Sequence, residues 1–548
     1  MNHHAAAHHL VHAVLAAAWR EDLAHIRTRA HRHGDTHTTP TGTGTLRFHA
    51  HTHAFAQITP HGTVHHDDHP VTDPATLLRL LEPGADITEL TDAVEGLALA
   101  LTRHRHITDH HRALARTHHA HDSVTLAHRL ATGPRYQPCR HFEPLAVTGH
   151  HLHPGARTRL GWTHTDRLNH DLESHHTTRL PVISASRELV TTTGQPLDHL
   201  LTTLHPPLRA HLHPDRVLIP LHPWQHRHVV TTRHHDLYRR GLIHDLPDIH
   251  IPAEPTASIR TLVLPDGHYL KTSLDIHITS TRRGISPATA ANGPALSHTL
   301  HTITTTDPHL RERLTVLPEP AAVSAHHTHP AARDLTCILR GPLHHHTRPG
   351  ELAVPATALP ATSPHTGTTI ATELAAHHPG TPQDFLTRYA TILLGTTLHL
   401  AAHYGIGLEA HLQNCIPVFR HATPVRVILR DLGGARIHTP RLTAAGHTPR
   451  LHPHSVTTTD DITVTHTKVA YTVIQNHLAA LVNALHHDGT LHATDAWKTI
   501  GEIIADTDIP TTDRDFYTTP TLPLKALLHM RLHNGPDHHV PVPNPLAT

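Results

Sequence analysis

Apolar positions recur at helical spacing from the start of the chain. Leu10, Val14, Leu15, Trp19, Leu23 and Ile26 mark one face of an amphipathic helix over residues 5–30. Gly34 and the Thr/Gly/Pro stretch to Gly44 break it, and two strand-like runs follow, Thr45–His51 and Gln57–His65. Residues 75–133 return to helical spacing through Leu77, Leu78, Leu80 and Leu81, then the run Ala93–Leu101. Arg216–Pro220 reads as a buried strand. Ser258–Pro265 and His268–Thr279 read as a hairpin closed by Asp266-Gly267, a favoured two-residue turn. In that register Ser258 faces Asp275, and Arg260 faces Ser273 on the side of Lys271. Asn292-Gly293-Pro294 reads as a turn, and residues 341–368, rich in Pro, His, Thr and Ala, as a boundary. A helix is expected from about Pro382 to Tyr404, stopped by Gly405. Another is expected from about Thr467 to Leu485. A helical tail over 522–532 would set Lys525 and Arg531 roughly 120° apart.

The cleanest alternation lies at residues 405–414. Ile406, Leu408, Ala410 and Leu412 point one way, and Glu409, His411 and Gln413 the other, which predicts a half-buried strand with a polar row. A second apolar run, Val425–Leu429, delivers Asp431 just before Gly433-Gly434. Two carboxylates at the ends of adjacent strands, with Asn414 nearby, suit a Mg2+ ion that also holds substrate phosphates. A polar row is also what a solvated strand face shows. The whole set with Asp431 and the glycine pair points to function.

Composition narrows the classes. The chain has 548 residues, enough for two to four domains, and a formal net charge of zero, so no global charge favours nucleic acid or an anionic membrane. No apolar run reaches the length of a membrane span, and no basic-then-apolar leader opens the chain. Cys139, Cys337 and Cys415 are far apart and lack CxxC spacing, which fits a reduced, cytoplasmic setting. The 74 histidines are spread along the chain, as compositional drift would spread them; His344-His345-His346 and His65-His66 could hold stray transition metal. Lysine is confined to Lys271, Lys468, Lys498 and Lys525. Where arginine is otherwise used, a retained lysine marks a place for a compact point charge.

Two further stretches carry candidate chemistry. Between Gly149 and Gly161, glycines and a proline frame His150, His153, Arg157 and Arg159, a loop able to present cations and imidazoles to phosphate oxygens. One face of the 258–279 hairpin offers Ser258, Arg260, Lys271, Ser273 and Thr279, with Arg282 and Arg283 beyond, a plausible anion site. His222-Pro223-Trp224-Gln225 closes the strand at 216–220, where Trp224 serves either a core edge or a ligand. No internal repeat, Walker loop or dinucleotide glycine loop is present.

In order, these motifs resemble the IucA/IucC family, aerobactin-synthetase-like siderophore synthetases that work without a nonribosomal peptide template. The family's Gly-His-Pro-x-His-Pro-x-x-Lys is similar to Gly149–Arg157, with His151 and Arg157 as departures; arginine keeps the charge but changes the donor geometry. Its His-Pro-Trp-Gln is similar to His222–Gln225, and its Ser-x-Arg-Thr to Ser258, Arg260 and Thr261. Its Lys and Arg twelve apart, through Thr-Ser, match Lys271, Thr279, Ser280 and Arg283. Glu409, His411, Gln413, Asn414 and Arg430–Gly434 match two further motifs, as do Asn476–Leu478 and Lys525 with Arg531. The resemblance spans about residues 140–535.

It implies an ATP-dependent carboxylate–amine ligase for iron-acquisition metabolism. Such enzymes adenylate a carboxylate of citrate or a citrate derivative, release pyrophosphate, and pass the acyl group to an amine or hydroxyl. It implies an α+β cupped hand: a helical thumb (1–135), β-rich fingers (136–350) and a distantly kinase-like palm (351–548). His150, His153, Arg157, Ser258, Arg260, Lys271, Thr279, Arg283, Gln413 and Asn414 would hold ATP, with Lys271, Arg283 and His411 catalytic. Glu409 and Asp431 would hold Mg2+, and His222, Lys525 and Arg531 the polycarboxylate. Family members are commonly homodimers. Attack of one anion on another asks mainly for charge neutralisation and alignment, with no covalent nucleophile. Two rivals stand beside this. A kinase-fold phosphotransferase would need a glycine-rich phosphate loop and a catalytic Asp, where position 409 is Glu. A non-catalytic, His-rich metal-binding relative would make the motif histidines no more important than their neighbours.

Overall fold

The computed structural model describes residues 2–133, 136–174, 177–278, 281–533, 535 and 537–547. The first helix, Asn2–Glu21, ends earlier than its apolar spacing suggests, because Asp22, Ala24 and His25 adopt left-handed backbone. Its buried face, with Val14, Leu15 and Trp19, packs on Phe48 and Ile58 of a five-stranded antiparallel sheet and on Leu77 and Leu78 of the helix Pro74–Leu81. Thr45–Thr52 and Ile58–His66 are the two central strands expected there.

An eight-stranded antiparallel sheet forms the middle of the chain. Across it run Val190–Gly194, Ala321–Ala325, Cys337–Arg340, Tyr269–Thr272, Thr261–Val263, Ile243–Pro255, Thr178–Ser186 and Arg216–Pro220. The hairpin at its centre is one residue out of the expected register. Thr261 pairs with Lys271 and Leu262 with Leu270, so the loop is Pro265-Asp266-Gly267. Pro265 has no N–H for the ladder, so closure falls to Leu264, whose N–H donates to the His268 carbonyl at 2.7 Å, with Gly267 at φ 92° completing the turn. Lys271 consequently stands in the sheet, buried, beside Cys337–Arg340.

Asn292-Gly293-Pro294 is helical, not a turn. It lies inside Pro287–Thr306, which is capped by Ser286. Pro294 cannot donate to the Ala290 carbonyl four residues back, and the Thr193 hydroxyl donates to that carbonyl instead, at 3.2 Å.

The last third packs helices against a four-stranded sheet ordered Leu314–Val316, Thr423–Leu429, Cys415–Arg420 and Glu351–Ala353. The helix Pro382–Tyr404 starts in a Thr381/Asp384 capping box and stops at Gly405 (φ 65°), and it buries Phe385, Tyr389, Leu393 and Leu398. The helical stretch from Ile462 to His487 is widened to a π-helix over Ala470–Leu478. The tail is not one helix. Thr521–Lys525 is a strand paired with His539–Pro543, and only Leu527–His533 is helical, so Lys525 and Arg531 share no helix face. Among the described residues no helix is long and apolar enough to cross a membrane.

Thr193→Val should leave the Ala290 carbonyl without a donor and lower stability by about 1 kcal/mol, seen as a lower urea midpoint with an unchanged circular dichroism spectrum.

Candidate functional site

The stretch after Gly405 keeps its alternation but not its strand. Only Ile406–Gly407 is strand, and it pairs in a small sheet separate from that of Thr423–Leu429. From residue 408 the backbone carbonyls are taken by side chains. Thr472 donates to Leu408 (3.4 Å), Asn414 Nδ2 to Glu409 (3.0 Å) and Cys415 Sγ to Ala410 (3.2 Å). The π-helical stretch adds His477, whose Nδ1 lies 3.3 Å from the Ala410 carbonyl, and Asn476 Oδ1, 3.4 Å from the Leu412 N–H. Leu408, Ala410 and Leu412 stay buried while Glu409, His411 and Gln413 are part-exposed, so the loop presents the polar row without a neighbouring strand.

Asp431 follows Thr423–Leu429 with a left-handed backbone (φ 72°), rare for a residue other than glycine and a form of stored strain. Its carboxylate is held by Lys271 Nζ at 2.6 and 2.8 Å, with Arg340 3.8 Å away. Arg340 is itself paired with Glu319 at 2.8 Å, both side chains buried. Burial pushes the Asp431 carboxyl up, but Lys271 and Arg340 outweigh burial and hold it well below the usual carboxylate range. Lys468, 3.1 Å from Glu409, draws that carboxyl down to about 2 against burial. The glycine pair separates the two anions. A Cβ on Gly434 would stand 2.2 Å from Glu409 Oε2, and one on Gly433 3.5 Å from Asp431 Oδ1 and 3.7 Å from Lys271 Nζ.

Beside this lies a cavity of about 470 Å³, walled on one side by His150, Arg157, Ser258 and Arg283 and on the other by His411 and Gln413. Burial, then Arg260 and Arg159, press the Arg283 guanidinium down to about 10, while Glu409 and Asp431 pull the other way. Burial also lowers His150 and His411, so both are neutral imidazoles near neutral pH. Buried cations crowded against one cavity favour an anion there.

Other expected residues stand elsewhere. Arg157 touches the cavity, but its guanidinium is committed to Glu173 (2.5 and 3.1 Å) and to the Val147 carbonyl (2.7 Å), which braces the 149–161 loop. Arg260 sits behind the wall and donates to the Arg283 carbonyl. Asn414 is buried beneath Glu409. His153 and Arg531 line a second, smaller cavity of about 70 Å³, where Arg531 pairs with Glu89. His222 is fully buried, with its Nδ1 accepting from the Trp224 N–H at 3.2 Å, and Lys525 is paired with Asp537 at 2.8 Å; neither lines either cavity. Thr279 lies outside the described residues. The three cysteines are buried and unpaired, and burial pushes the Cys139 and Cys337 thiols up to about 12, away from thiolate chemistry.

Arg340, Glu319 and Lys468 were not among the expected site residues. Lys468 had a signal, being one of four lysines, two of which hold the two carboxylates. Arg340 ends the apolar run Cys337–Leu339 just before Gly341-Pro342, a faint mark of a strand-end charge.

Known proteins resemble this chain in sequence and in fold. The model of the IucA / IucC family matches residues 138–361, and that of the ferric iron reductase FhuF-like transporter matches residues 383–540. Staphyloferrin A synthase of Staphylococcus aureus is 26% identical over 414 residues, 72% of this chain and 70% of that protein. Two further curated relatives are matched over only 49% and 56% of their length. The petrobactin biosynthesis protein AsbB of Bacillus anthracis superposes with a TM-score of 0.82 at 21% identity, covering 100% of this chain and 96% of that one. The ATP-bound aerobactin synthetase IucA of Klebsiella pneumoniae superposes at 0.73 and 19% identity, covering 97% and 99%. Both structures share this mixed helix-and-sheet fold.

The Glu409 carboxyl titrates near 2 in place of an ordinary value near 4.5. Its pair with Lys468 therefore contributes stability above about pH 4.5 that is lost as pH falls through about 2. Lys468→Met should remove that contribution, so urea midpoints of variant and wild type should differ at neutral pH and converge towards about pH 2.

Proposed function

This chain belongs to the IucA/IucC family, and we propose that it works as an ATP-dependent ligase joining a carboxylate of citrate or a citrate derivative to an amine or hydroxyl. The observation that carries this reading is the contact between Lys271 and Asp431, 160 positions apart, beside a cavity lined by both parts of the chain. Cations line that cavity, and the two carboxylates stand close in sequence to its other wall, Glu409 two residues before His411; a metal-bound triphosphate needs both.

In this reading ATP enters the larger cavity with its phosphates towards Ser258, Arg283 and His150, and Lys271 and Arg260 add charge from behind. A substrate carboxylate oxygen attacks the α-phosphorus, the bond to the β-phosphate bridge breaks, and pyrophosphate leaves. The amine nitrogen then attacks the acyl carbon, AMP leaves with the bonding electrons, and the amine proton is lost. Neutral His411 can accept that proton or bond a phosphate oxygen. Gln413 shapes the same wall, and Asn414 holds the Glu409 carbonyl from beneath. Arg157 acts by fixing the loop that carries His150. Arg531, with His153 beside it, is the best-placed of the expected carboxylate-binding residues, since of the three it is the one that lines either of these two cavities.

Glu409 and Asp431 fit Mg2+: both are hard-oxygen donors, and a Cβ on Gly434 would crowd the Glu409 carboxylate. When bound, the ion would neutralise the phosphates. The reading includes a thumb (1–135), fingers (136–350) and kinase-like palm (351–548), a homodimer and a cytoplasmic setting.

Lys271→Met and Asp431→Asn should each lower ATP–pyrophosphate exchange by about 100-fold or more with the fold intact. Wild-type exchange in both variants would remove the proposed site. Formation of ADP, without AMP and pyrophosphate, would favour phosphotransfer.

A further inference from the structure

The outer face of the N-terminal sheet carries a second cluster of chemically able side chains, far along the chain from the residues of the larger cavity. Asp35 precedes the strand Thr36–Pro40. Thr36 pairs with His49 on the next strand, and His49 pairs with His61 on the strand after that. The three strands thus stack Thr36, His49 and His61 in one cross-strand row. A β-bulge between Arg47 and His49 sets the register at this point, and the Asp35 carbonyl accepts from the Ala50 N–H at 2.9 Å, tying down the acid's backbone.

The two oxygens of Asp35 are divided between the two rings. Oδ2 lies 3.1 Å from His61 Nε2 and Oδ1 3.5 Å from His49 Nδ1, and one donor atom from each residue lies within 4.8 Å of the others. Ligands about 2.1 Å from one ion stand roughly 3–3.5 Å from each other around it, so each imidazole is already at such a distance from the carboxylate, and the trio needs only a small closure to meet on one ion. The Thr36 hydroxyl, 3.1 Å from His49 Nδ1, is the partner an ion would displace.

We propose that Asp35, His49 and His61 form a binding site for a divalent first-row transition ion of the zinc class. Two imidazoles and one carboxylate suit zinc, nickel or copper and are a poor match for magnesium or calcium. The side chains of His49, Asp35 and His61 are 46%, 51% and 41% exposed, so an ion enters without opening the fold, and water completes its shell. Because its ligands come from the turn before one strand and from the two strands that follow, the ion clips the sheet together and stabilises the domain by mass action. The proposal stands apart from the ligase reading and survives its failure.

A chain with 74 histidines binds metal weakly at many points, so the test must isolate one site. Among the described residues one other trio converges, His121, Asp122 and His377, where Asp122 Oδ1 already accepts from the Thr125 N–H. His377→Ala is therefore the control. The full chain, stripped with chelator, is titrated with zinc chloride against a competing chelator of micromolar affinity, and thermal unfolding is followed in parallel. Wild type and His377→Ala should show one tight zinc equivalent and a raised unfolding temperature. Asp35→Asn and His61→Ala should weaken that equivalent by about tenfold or more and lose the thermal shift, with their metal-free spectra unchanged. Asp35→Asn keeps the side-chain size if His61→Ala unsettles the strand. A tight equivalent retained in both variants, or none in wild type, overturns the proposal.

Discussion

A lysine buried in the middle of a sheet has to find an anion. Lys271 is 3% exposed, and the anion that meets it is Asp431, just past a strand of another sheet. An ammonium taken out of water without a partner loses several kcal/mol of solvation, so the two parts of the chain are pressed together at this contact. Arg340 and Glu319 extend it into a buried chain of alternating charge. A second tie runs alongside, where Arg430, next to Asp431, reaches Glu143 while the other oxygen of that carboxylate takes the Ala257 N–H.

Three arginines line the larger cavity. Arg159 and Arg157 are each matched by a carboxylate, Asp171 and Glu173, and serve as braces. Arg283 lines the same cavity, with its guanidinium pressed down by burial and by other cations. Beside the two carboxylates lie Gly433 and Gly434, and a side chain at Gly434 would collide with Glu409. A floor without side chains beside two fixed anions lets a multivalent ion and its phosphates approach closely.

Much of the molecule was legible from the chain. The helix from Pro382 to Tyr404 carries its own start and stop in Thr381, Asp384 and Gly405, so it depends little on context. The polar row Glu409, His411 and Gln413 was legible as an alternation, and the scarcity of lysine marked Lys271 and Lys468 as special. Where the reading failed, a single backbone group made the difference. Pro265 could not donate and shifted the hairpin by one; Pro294 stayed helical because Thr193 met the carbonyl it left bare. Lys525 went to a strand because the distant His539–Pro543 paired with it.

The chain alone determined which residue types were available and the local elements whose signals lie within a few positions of each other: caps, turns, apolar periods and the ordered motifs. Tertiary structure alone decided pairing. Whether an arginine is a brace or faces a cavity depends on a carboxylate 12, 16 or 21 residues away for Arg159, Arg157 and Arg340, and 160 away for Lys271. Charges act through space, and the loss of water that makes them count arises only when distant segments close over them.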